Sequence, residues 1–352
     1  MTSQRDLARL RLAAQRIAGP GFGSAGEAVQ WMTAVQAQDP GAVTSVALRT
    51  AGRDRSGVHE AMDAGEIVKS WPMRGTLHFV AGEDLGWMLG LTAARMIIAT
   101  APRRAELGID DAMIDQARKV AVTALEGGGQ LRRSELLALW DEAGLVVAPG
   151  QGYRLIFQLA QLGVLCFGPF QKGEQRLVML DEWVRRPRRL DRDEAVGEWA
   201  LRYFRSHGPA TVKDFAWWTK LLMVDVKAGL AIARPFLERV EVDGVEYFMD
   251  PQTPDRLAEH SANAKGVFLL PGFDEFMLGY QDRGAALPTK FAPRLVPGNN
   301  GMFMASVVDN GAVVGTWKRH GSGKKATVSA TPFTTFTKKA ESAIPRRYAA
   351  LP

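Results

Sequence analysis

The stretch EAVGEWALRYFRSHGPATVKDFAWWTK, residues 194–220, decides the fold of this chain. Its spacing predicts an amphipathic helix over 194–207, a stop at the following Gly-Pro pair, and a second helix capped by Thr211. A third helix is predicted at roughly 225–237. After it, VEVDGVEYFM (240–249) alternates Val with aromatic residues around Asp243-Gly244, a dipeptide favoured in tight hairpins. Short helices followed by a two-stranded hairpin are the pattern of a winged helix-turn-helix unit.

The same pattern recurs twice toward the N-terminus. One copy contains LRRSELLALWDEAG (131–144), where we expect Ser134 to cap a helix, then GYRLIFQLAQLG and the strands VLCFGPF and QRLVML. The other has helices near 4–17, 25–35 and 57–64, then the strands IVKSW and GTLHFV. Beyond Asp250 the chain changes to short apolar runs, with Asn310-Gly311 as a further hairpin signal.

These patterns predict an α+β protein with about three tandem winged helix-turn-helix units and a small β-rich C-terminal unit. We place the winged units at 1–105, 106–190 and 191–250, and the β-rich unit at 251–352. The arginine-rich segment WVRRPRRLDRDE (183–194) is predicted to link the second and third units; it either forms a solvated connection or binds phosphates.

Composition narrows the class of protein. The chain has 352 residues, is 46% hydrophobic and carries a net charge of +6, a balance that favours polyanionic partners without requiring one. We find no uninterrupted apolar run that suits a membrane span and no apolar secretory leader, so we expect a cytoplasmic protein without a membrane partner. The five histidines and the lone Cys166 match no compact zinc spacing, and we predict neither a metal nor a cofactor.

The segment WMTAVQAQDPGAV, residues 31–43, carries the most chemical information. Pro40 disfavours helical backbone at the residue before it, so the helix should end by about Gln36 or Ala37. In an extended exit segment, side chains two residues apart share a face, which would bring the amides of Gln36 and Gln38 together. Most Gln-x-Gln pairs are surface residues or helix caps, so the pattern needs support from elsewhere in the chain.

Paired amides suit a reaction whose leaving group is already activated. Glutamine offers an acceptor and two donors but does not titrate, so it can orient water or a sugar without acting as an acid or base. An N7-alkylated guanine carries a positive charge, and its glycosidic bond breaks without protonation. Orienting water and stabilising an oxocarbenium-like sugar would then be enough.

Four segments follow one another in this order: WMTAVQAQDPGAV, MRGTLHFV, FLLPGFDEFMLGYQDR and NGMFMASVVDNGAVVGTWKR. Together they resemble the AlkZ/YcaQ family of DNA glycosylases, and the resemblance covers nearly the whole chain. The resemblance implies tandem winged helices that bind double-stranded DNA and excise bulky or crosslinked N7-alkylguanine lesions, in some members for self-resistance to a genotoxic natural product. The family motif is Gln-apolar-Gln in the AlkZ branch and Gln-apolar-Asp in the other. Gln36 and Gln38 match the former, which implies a catalytic role for both, and Asp39 is assigned a structural or capping role.

Further candidate DNA contacts are less specific. Arg74 and His78, in SWPMRGTLHFV, would approach DNA from the edge of the first wing, Arg283 would contact phosphate, and the hairpin at Asn310 would enter a groove. Structural roles compete with each of these: a histidine between Leu77 and Phe79 is often a sheet residue, and edge-strand packing explains the hairpin equally well. The acids Asp274, Glu275 and Asp282 are expected to form salt bridges to arginines rather than to perform glycosidic chemistry.

Two functions remain open at this point. The first is a monofunctional DNA glycosylase that acts as a monomer on DNA containing alkylated purines, through an open groove, because crosslinked bases are hard to extrude into a snug pocket. The second is a winged-helix regulator or architectural protein that binds DNA without catalysis. Three units in one chain disfavour an ordinary dimeric repressor, which uses one unit per subunit and a two-fold axis.

Overall fold

The computed structural model describes residues 3–145, 148–321, 323 and 326–352, and the chain forms two compact units. The larger unit contains residues 1–55 and 196–352, and the smaller contains residues 56–195. The predicted α+β class is confirmed as a mixed fold of helices and sheets. The finer division into three winged-helix units and a β-rich unit stays a prediction.

The helices run along the chain in the following order. They are α1 Gln4–Ala14, α2 Ala25–Met32, α3 Gly41–Ala47, α4 Arg55–Asp63, α5 Leu85–Glu106, α6 Asp111–Leu125, α7 Arg133–Glu142, α8 Gln151–Gln161, α9 Leu180–Trp183, α10 Arg192–His207, α11 Val212–Thr219, α12 Met223–Ala233, α13 Thr253–Glu259, α14 Ser261–Ala264, α15 Glu275–Leu278, α16 Ala292–Leu295 and α17 Lys338–Ala349.

The strands occupy shorter segments between the helices. They are β1 Val35–Gln36, β2 Ile67–Met73, β3 Thr76–Ala81, β4 Leu165–Gln171, β5 Glu174–Met179, β6 Glu238–Val242, β7 Val245–Met249, β8 Val267–Leu270, β9 Ser306–Asp309, β10 Ala312–His320 and β11 Thr327–Pro332.

In the larger unit, a four-stranded antiparallel sheet has the order β11-β10-β9-β8. The sheet is covered on both faces, and alternate residues of its edge strand β8 enter different cores. Phe268 and Leu270 pack with Leu12 of α1, whereas Val267 packs with Ile344 of α17. This two-sided burial explains why β8 reads as a continuous apolar run, VFLL, rather than an alternating one.

In the smaller unit, the four strands have the order β3-β2-β4-β5 and α5 packs on β2 and α8. The segment Gly82–Glu106, which includes α5, is long and apolar enough by length and composition to cross a membrane. Arg95 interrupts its apolar residues, so the expectation of no uninterrupted apolar run that suits a membrane span holds for this helix. The core helix of a globular protein can have the same length and apolar composition as a membrane-spanning helix. Leu85, Met88 and Leu89 of α5 are buried within the protein, as in a core helix.

The predicted hairpins are confirmed. Asp243-Gly244 joins β6 to β7 with φ of 53° and 75°, and Asn310-Gly311 joins β9 to β10 with φ of 55° and 82°. Positive φ at both central residues matches the twist of the flanking strands. The prediction that Ser134 caps a helix is wrong, because α7 begins earlier and its first turn is closed by the bond from the backbone N–H of Arg132 to Glu135 Oε2, 2.6 Å.

Candidate functional site

The Gln-x-Gln segment leaves α2 earlier than the proline rule predicts. The helix ends at Met32 because Thr33 adopts a left-handed backbone with φ of 67°, and the chain is already extended at Val35 and Gln36. The predicted stop near Gln36 or Ala37 is therefore about one helical turn too late. The prediction of extended backbone holds for Gln36, which lies in β1, whereas Gln38 lies in a bend two residues on.

The two amides of the motif meet. Gln36 Nε2 donates a hydrogen bond of 2.9 Å to Gln38 Oε1. Gln36 is only 5% exposed, whereas Gln38 is exposed. The carbonyl Oε1 of Gln36 is buried and accepts no hydrogen bond from the residues that the structure describes. The pair therefore offers one vacant acceptor on Gln36 beside the amino donors of Gln38.

Asp39 has a structural role at the end of the motif. Its Oδ1 accepts a hydrogen bond of 2.7 Å from the backbone N–H of Gly41, the first residue of α3. Such a bond from an aspartate to the backbone two residues on closes a turn. The assignment of Asp39 as a capping or structural residue agrees with this contact.

Glu275 supports the motif through a backbone contact that the sequence did not predict. Its side chain is fully buried; Oε1 accepts the backbone N–H of Gln36 at 3.0 Å, and Oε2 accepts Trp218 Nε1–H at 3.0 Å. Both oxygens thus accept bonds from uncharged N–H groups, and the expected salt bridge from Glu275 to an arginine stays a prediction. The available signal was a carboxylate inside the apolar run FLLPGFDEFMLGY.

A buried histidine lies next to this carboxylate. His207 Nε2 is 3.6 Å from Glu275 Oε2, and His207 Nδ1 lies 2.8 Å from Ser206 Oγ. Burial lowers the pKa of His207, and this effect outweighs the nearby carboxylate, which acts in the opposite direction. The imidazole is therefore neutral at physiological pH, and the carboxylate beneath Gln36 gains no positive charge from it.

The segment that carries Glu275 is fixed by a buried ion pair. Arg49 forms two hydrogen bonds to Asp274, Nη1 to Oδ2 at 2.9 Å and Nη2 to Oδ1 at 3.0 Å, and also donates to Gln15 Oε1 at 2.7 Å. Gln15 donates in turn to the backbone carbonyl of Glu275 at 3.3 Å. The predicted arginine salt bridge is thus confirmed for Asp274, and it orients the neighbouring residue that holds Gln36.

Arg74 and His78 lie together on the β2–β3 hairpin. His78 is fully buried; Arg74 Nη2 lies 3.0 Å from His78 Nε2, and His78 Nδ1 lies 2.8 Å from the carbonyl of Thr76. Arginine can only donate, so Nε2 is the acceptor and the imidazole is neutral with its proton on Nδ1. The histidine thus orients the guanidinium from below the surface, and DNA contact by either residue stays a prediction.

Arg283 and Asn310 also make contacts within the protein. Arg283 Nε donates to the carbonyl of Met277 at 2.7 Å, and its guanidinium lies 5.1 Å from the ring centroid of Trp217 and 4.8 Å from that of Phe303. Asn310 Oδ1 accepts a bond of 2.9 Å from Arg9 of α1. The hairpin turn therefore packs on α1, and its insertion into a DNA groove stays a prediction, as does phosphate binding by Arg283.

Other reactive groups form no site in the described ranges. Within residues 3–145, 148–321, 323 and 326–352, no three His, Cys, Asp or Glu side chains gather as metal ligands would. Burial raises the pKa of the Cys166 thiol, which keeps it protonated and unreactive. The chemistry of the site therefore rests on the amide pair and the groups that hold it.

Comparison with known proteins assigns the family. Residues 29–351 match the family model described as AlkZ-like, DNA glycosylase AlkZ-like. The chain is 28% identical over 310 residues to an "Interstrand DNA cross-link repair glycosylase" of Streptomyces sahachiroi, covering 84% of this chain and 82% of that protein. It is also similar to the solved structure of Streptomyces sahachiroi DNA glycosylase AlkZ, with a TM-score of 0.81, 25% identity, and coverage of 99% of this chain and 95% of that one. Because the family model spans nearly the whole chain, including the paired glutamines, this protein belongs to the AlkZ-like family of DNA glycosylases.

Proposed function

We propose that this chain hydrolyses the N-glycosidic bond of N7-alkylguanine in double-stranded DNA, with Gln36 and Gln38 as the catalytic residues. The observation that carries this proposal is the amide pair, joined at 2.9 Å with a vacant buried acceptor on Gln36. Family membership supplies the reaction class, and the chemistry of two neutral amides favours a substrate that departs without an acid catalyst.

The reaction needs a positioned water and a stabilised sugar cation. Gln36 Oε1 accepts a hydrogen bond from the attacking water, whose oxygen forms a bond to C1′ of the deoxyribose. As the C1′–N9 bond breaks, its electron pair moves to N9 and neutralises the positive charge of the alkylated ring. The water loses one proton to bulk solvent and keeps the other as the new hydroxyl, while the Gln38 amide contacts the sugar as charge develops there. Atoms and charge then balance without a general acid.

Glu275 contributes to this function by positioning the motif. Its carboxylate holds the backbone N–H of Gln36 and therefore fixes the strand from which the amide projects. A charge-assisted hydrogen bond to a buried carboxylate is stronger than one between neutral groups, which suits a residue that must hold its place within a fraction of an ångström. The carboxylate also places negative charge beneath the site, where it would favour a positive sugar.

We assign the DNA-binding surface by its helices and hairpins. We infer that the helices followed by the hairpins β2–β3, β4–β5 and β6–β7 act as tandem winged-helix units on duplex DNA, with Arg74 and Arg283 on phosphates. The name of the Streptomyces sahachiroi relative supports interstrand crosslinks as substrates. We also propose DNA repair or self-resistance to a genotoxic natural product as the biological setting. We further propose that the protein acts as a monomer in the cytoplasm.

The test uses a duplex with a single N7-methylguanine, incubated with purified protein and treated with alkali to reveal abasic sites. Replacing Gln36 or Gln38 with Ala should lower the single-turnover rate about 100-fold, the magnitude typical of one lost positioned amide. Gln116→Ala, which removes an exposed glutamine in the smaller unit, is the matched control and should keep the rate. DNA binding, measured by fluorescence anisotropy, should persist in all variants. DNA binding without abasic sites in the wild type, on simple and bulky N7 adducts alike, would overturn the proposal.

A further inference from the structure

A pocket of about 580 Å³ opens in the larger unit beside α2, the helix that precedes the paired glutamines. Its wall is formed by Phe22, Glu27, Gln30, Trp31, Arg202 and Arg205. Trp31 precedes Gln36 by five residues, so the backbone at Trp31 lies at most about 18 Å from that at Gln36. A strand of duplex DNA advances about 3.4 Å per phosphate along the helix axis. A strand whose lesion lies at the motif could therefore reach this pocket within about five nucleotides.

Two arginines of α10 give the pocket positive charge. Arg202 and Arg205 are three residues apart, so they lie on one face of the helix. Arg202 forms an ion pair with Glu198, with Nη2 at 2.7 Å from Oε1. Arg205 forms no ion pair within the part of the chain that the structure describes, and its buried Nε has no hydrogen-bond partner there. The guanidinium of Arg205 therefore keeps donors for an anion from outside the chain.

A third arginine reaches the aromatic wall of the pocket from the end of α1. The guanidinium of Arg16 lies 5.3 Å from the ring centroid of Phe22 and 5.7 Å from that of Trp31. Its buried Nε likewise has no hydrogen-bond partner among the described residues. The Trp31 ring is itself fixed, because its Nε1 donates to the carbonyl of Ala14 at 2.8 Å. A guanidinium stacked on a ring keeps its in-plane N–H groups available, and these match the oxygens of a phosphate.

The backbone at Arg16 has a conformation that favours glycine. Helix α1 ends at Ala14, and Arg16 follows two residues later with φ of 55°. Glycine is the usual residue with left-handed backbone just beyond a helix, because it has no Cβ. The end of the helix therefore does not account for an arginine at this position, whereas a role for its side chain does.

The acidic groups near these arginines are already engaged. Burial, and then the guanidinium of Arg256, lower the pKa of Arg16, and Asp250 acts in the opposite direction. Asp250 is itself paired with Arg256 at 2.9 Å. The carboxylate in the pocket wall, Glu27, accepts two backbone N–H groups just before α2, at 2.9 and 3.2 Å. A bound anion would therefore add favourable electrostatic interactions that the chain does not supply.

We propose that this pocket binds a phosphodiester group of the DNA strand, within about five nucleotides of the lesion, with Arg16 and Arg205 as the donors. The inference rests on the proposed function, because that function brings a DNA strand to the motif. A phosphate contact reads no base, so the pocket would hold the strand whatever adduct lies at Gln36. A free phosphate compound has the same chemistry, and the experiment distinguishes these two sources.

The test measures the affinity for an unmodified duplex by fluorescence anisotropy between about 50 and 200 mM salt. Arg16→Gly and Arg205→Ala should each weaken binding about tenfold. Each should also reduce by about one the slope of the logarithm of affinity against the logarithm of salt concentration, as expected for one lost phosphate contact. Glycine adopts φ of 55° without strain, so Arg16→Gly should fold, and thermal melts check both variants. Arg346→Ala is the matched control, because it removes the same charge from an exposed position of α17 outside the pocket and should keep the slope.

The outcomes separate this inference from the proposed function. A reduced slope in both pocket variants, with the slope of Arg346→Ala unchanged, supports the pocket even if the wild type excises no adduct, a result that would refute the glycosylase proposal alone. An unchanged slope in either pocket variant, or an equal reduction in Arg346→Ala, would overturn the inference. Isothermal titration calorimetry with inorganic pyrophosphate tests the other source. Pyrophosphate binding that is lost in Arg205→Ala while DNA affinity stays unchanged would assign the pocket to a free phosphate compound and overturn the inference as well.

Discussion

Replacing Glu275 with Gln tests how the paired glutamines are held. The carboxylate accepts two N–H groups, from the Gln36 backbone and from the Trp218 indole, each at 3.0 Å. Glutamine has nearly the same shape but only one acceptor oxygen, so its amino group must face one of these two donors. One hydrogen bond is lost, and a buried N–H remains without a partner.

The magnitude follows from these contacts. A hydrogen bond to a charged group contributes about 1.5–3 kcal/mol, and an unsatisfied buried donor costs about 1–3 kcal/mol. Removing a buried negative charge offsets part of this loss, because the carboxylate no longer has to be desolvated. We expect Glu275→Gln to lower the free energy of unfolding by about 2–3 kcal/mol. For a unit of roughly 200 residues this corresponds to a fall in Tm of about 5–10 °C.

The assay is a double-mutant cycle with Trp218→Phe, followed by urea denaturation. Trp218→Phe removes the indole N–H, so the amino group of the introduced glutamine would then face no donor there. Glu275→Gln should therefore cost about 1–2 kcal/mol less in this background. The cost of shrinking a buried Trp cancels in the cycle. Equal costs of Glu275→Gln in both backgrounds, or no cost in either, would refute the assignment of Glu275 as an acceptor of both N–H groups.

Three further predictions concern stability. Burial lowers the pKa of Lys69 from 10.5 to about 8. Between pH 8 and 10.5 the unfolded chain therefore binds more protons than the folded protein, and the free energy of unfolding rises with pH. Lys69→Met should abolish that rise and add about 2–3 kcal/mol to the free energy of unfolding at pH 7, as measured by urea denaturation. Asp274→Asn leaves Arg49 buried without its counter-ion and should cost about 3–5 kcal/mol; a loss below about 1 kcal/mol would contradict the pair. Gly82→Ala places a Cβ 2.3 Å from a backbone carbonyl oxygen and should lower the free energy of unfolding by about 1–3 kcal/mol. Gly86→Ala in α5, where the Cβ meets open space, should raise the free energy of unfolding slightly. Thermal melts of both variants would show these changes.

Local signals predicted the hairpins and the contact between the two glutamines correctly. Asp243-Gly244 and Asn310-Gly311 form tight turns because both residues of each pair accept positive φ, a property that the residues themselves carry. Gln36 and Gln38 meet, as expected for residues two apart once the chain has left its helix. These predictions depend on neighbours within a few residues, and sequence supplies them directly.

Features that depend on distant partners were missed or misjudged. The end of α2 is set by the left-handed backbone at Thr33, which no rule based on Pro40 detects. Glu275 contacts the backbone of Gln36, 239 residues earlier in the chain, and a lone sequence does not reveal such a partner. The apolar run of β8 predicted a strand, but not the cores on both of its faces. Long-range packing decides each of these cases, and local propensity does not encode it.

The backbone of Phe273 is strained, because its φ of 59° is a conformation that non-glycine residues rarely adopt. Phe273→Gly would relieve of order 1–3 kcal/mol of backbone strain, which offsets part of the cost of losing the half-buried ring and of the extra freedom of glycine in the unfolded chain. The same variant would lose the ring that lies 6.2 Å from that of Phe303 in the wall of a cleft beside Asp39, Pro40 and Gly41. Phenylalanine at position 273 therefore keeps an aromatic ring in the cleft wall at a cost to the backbone.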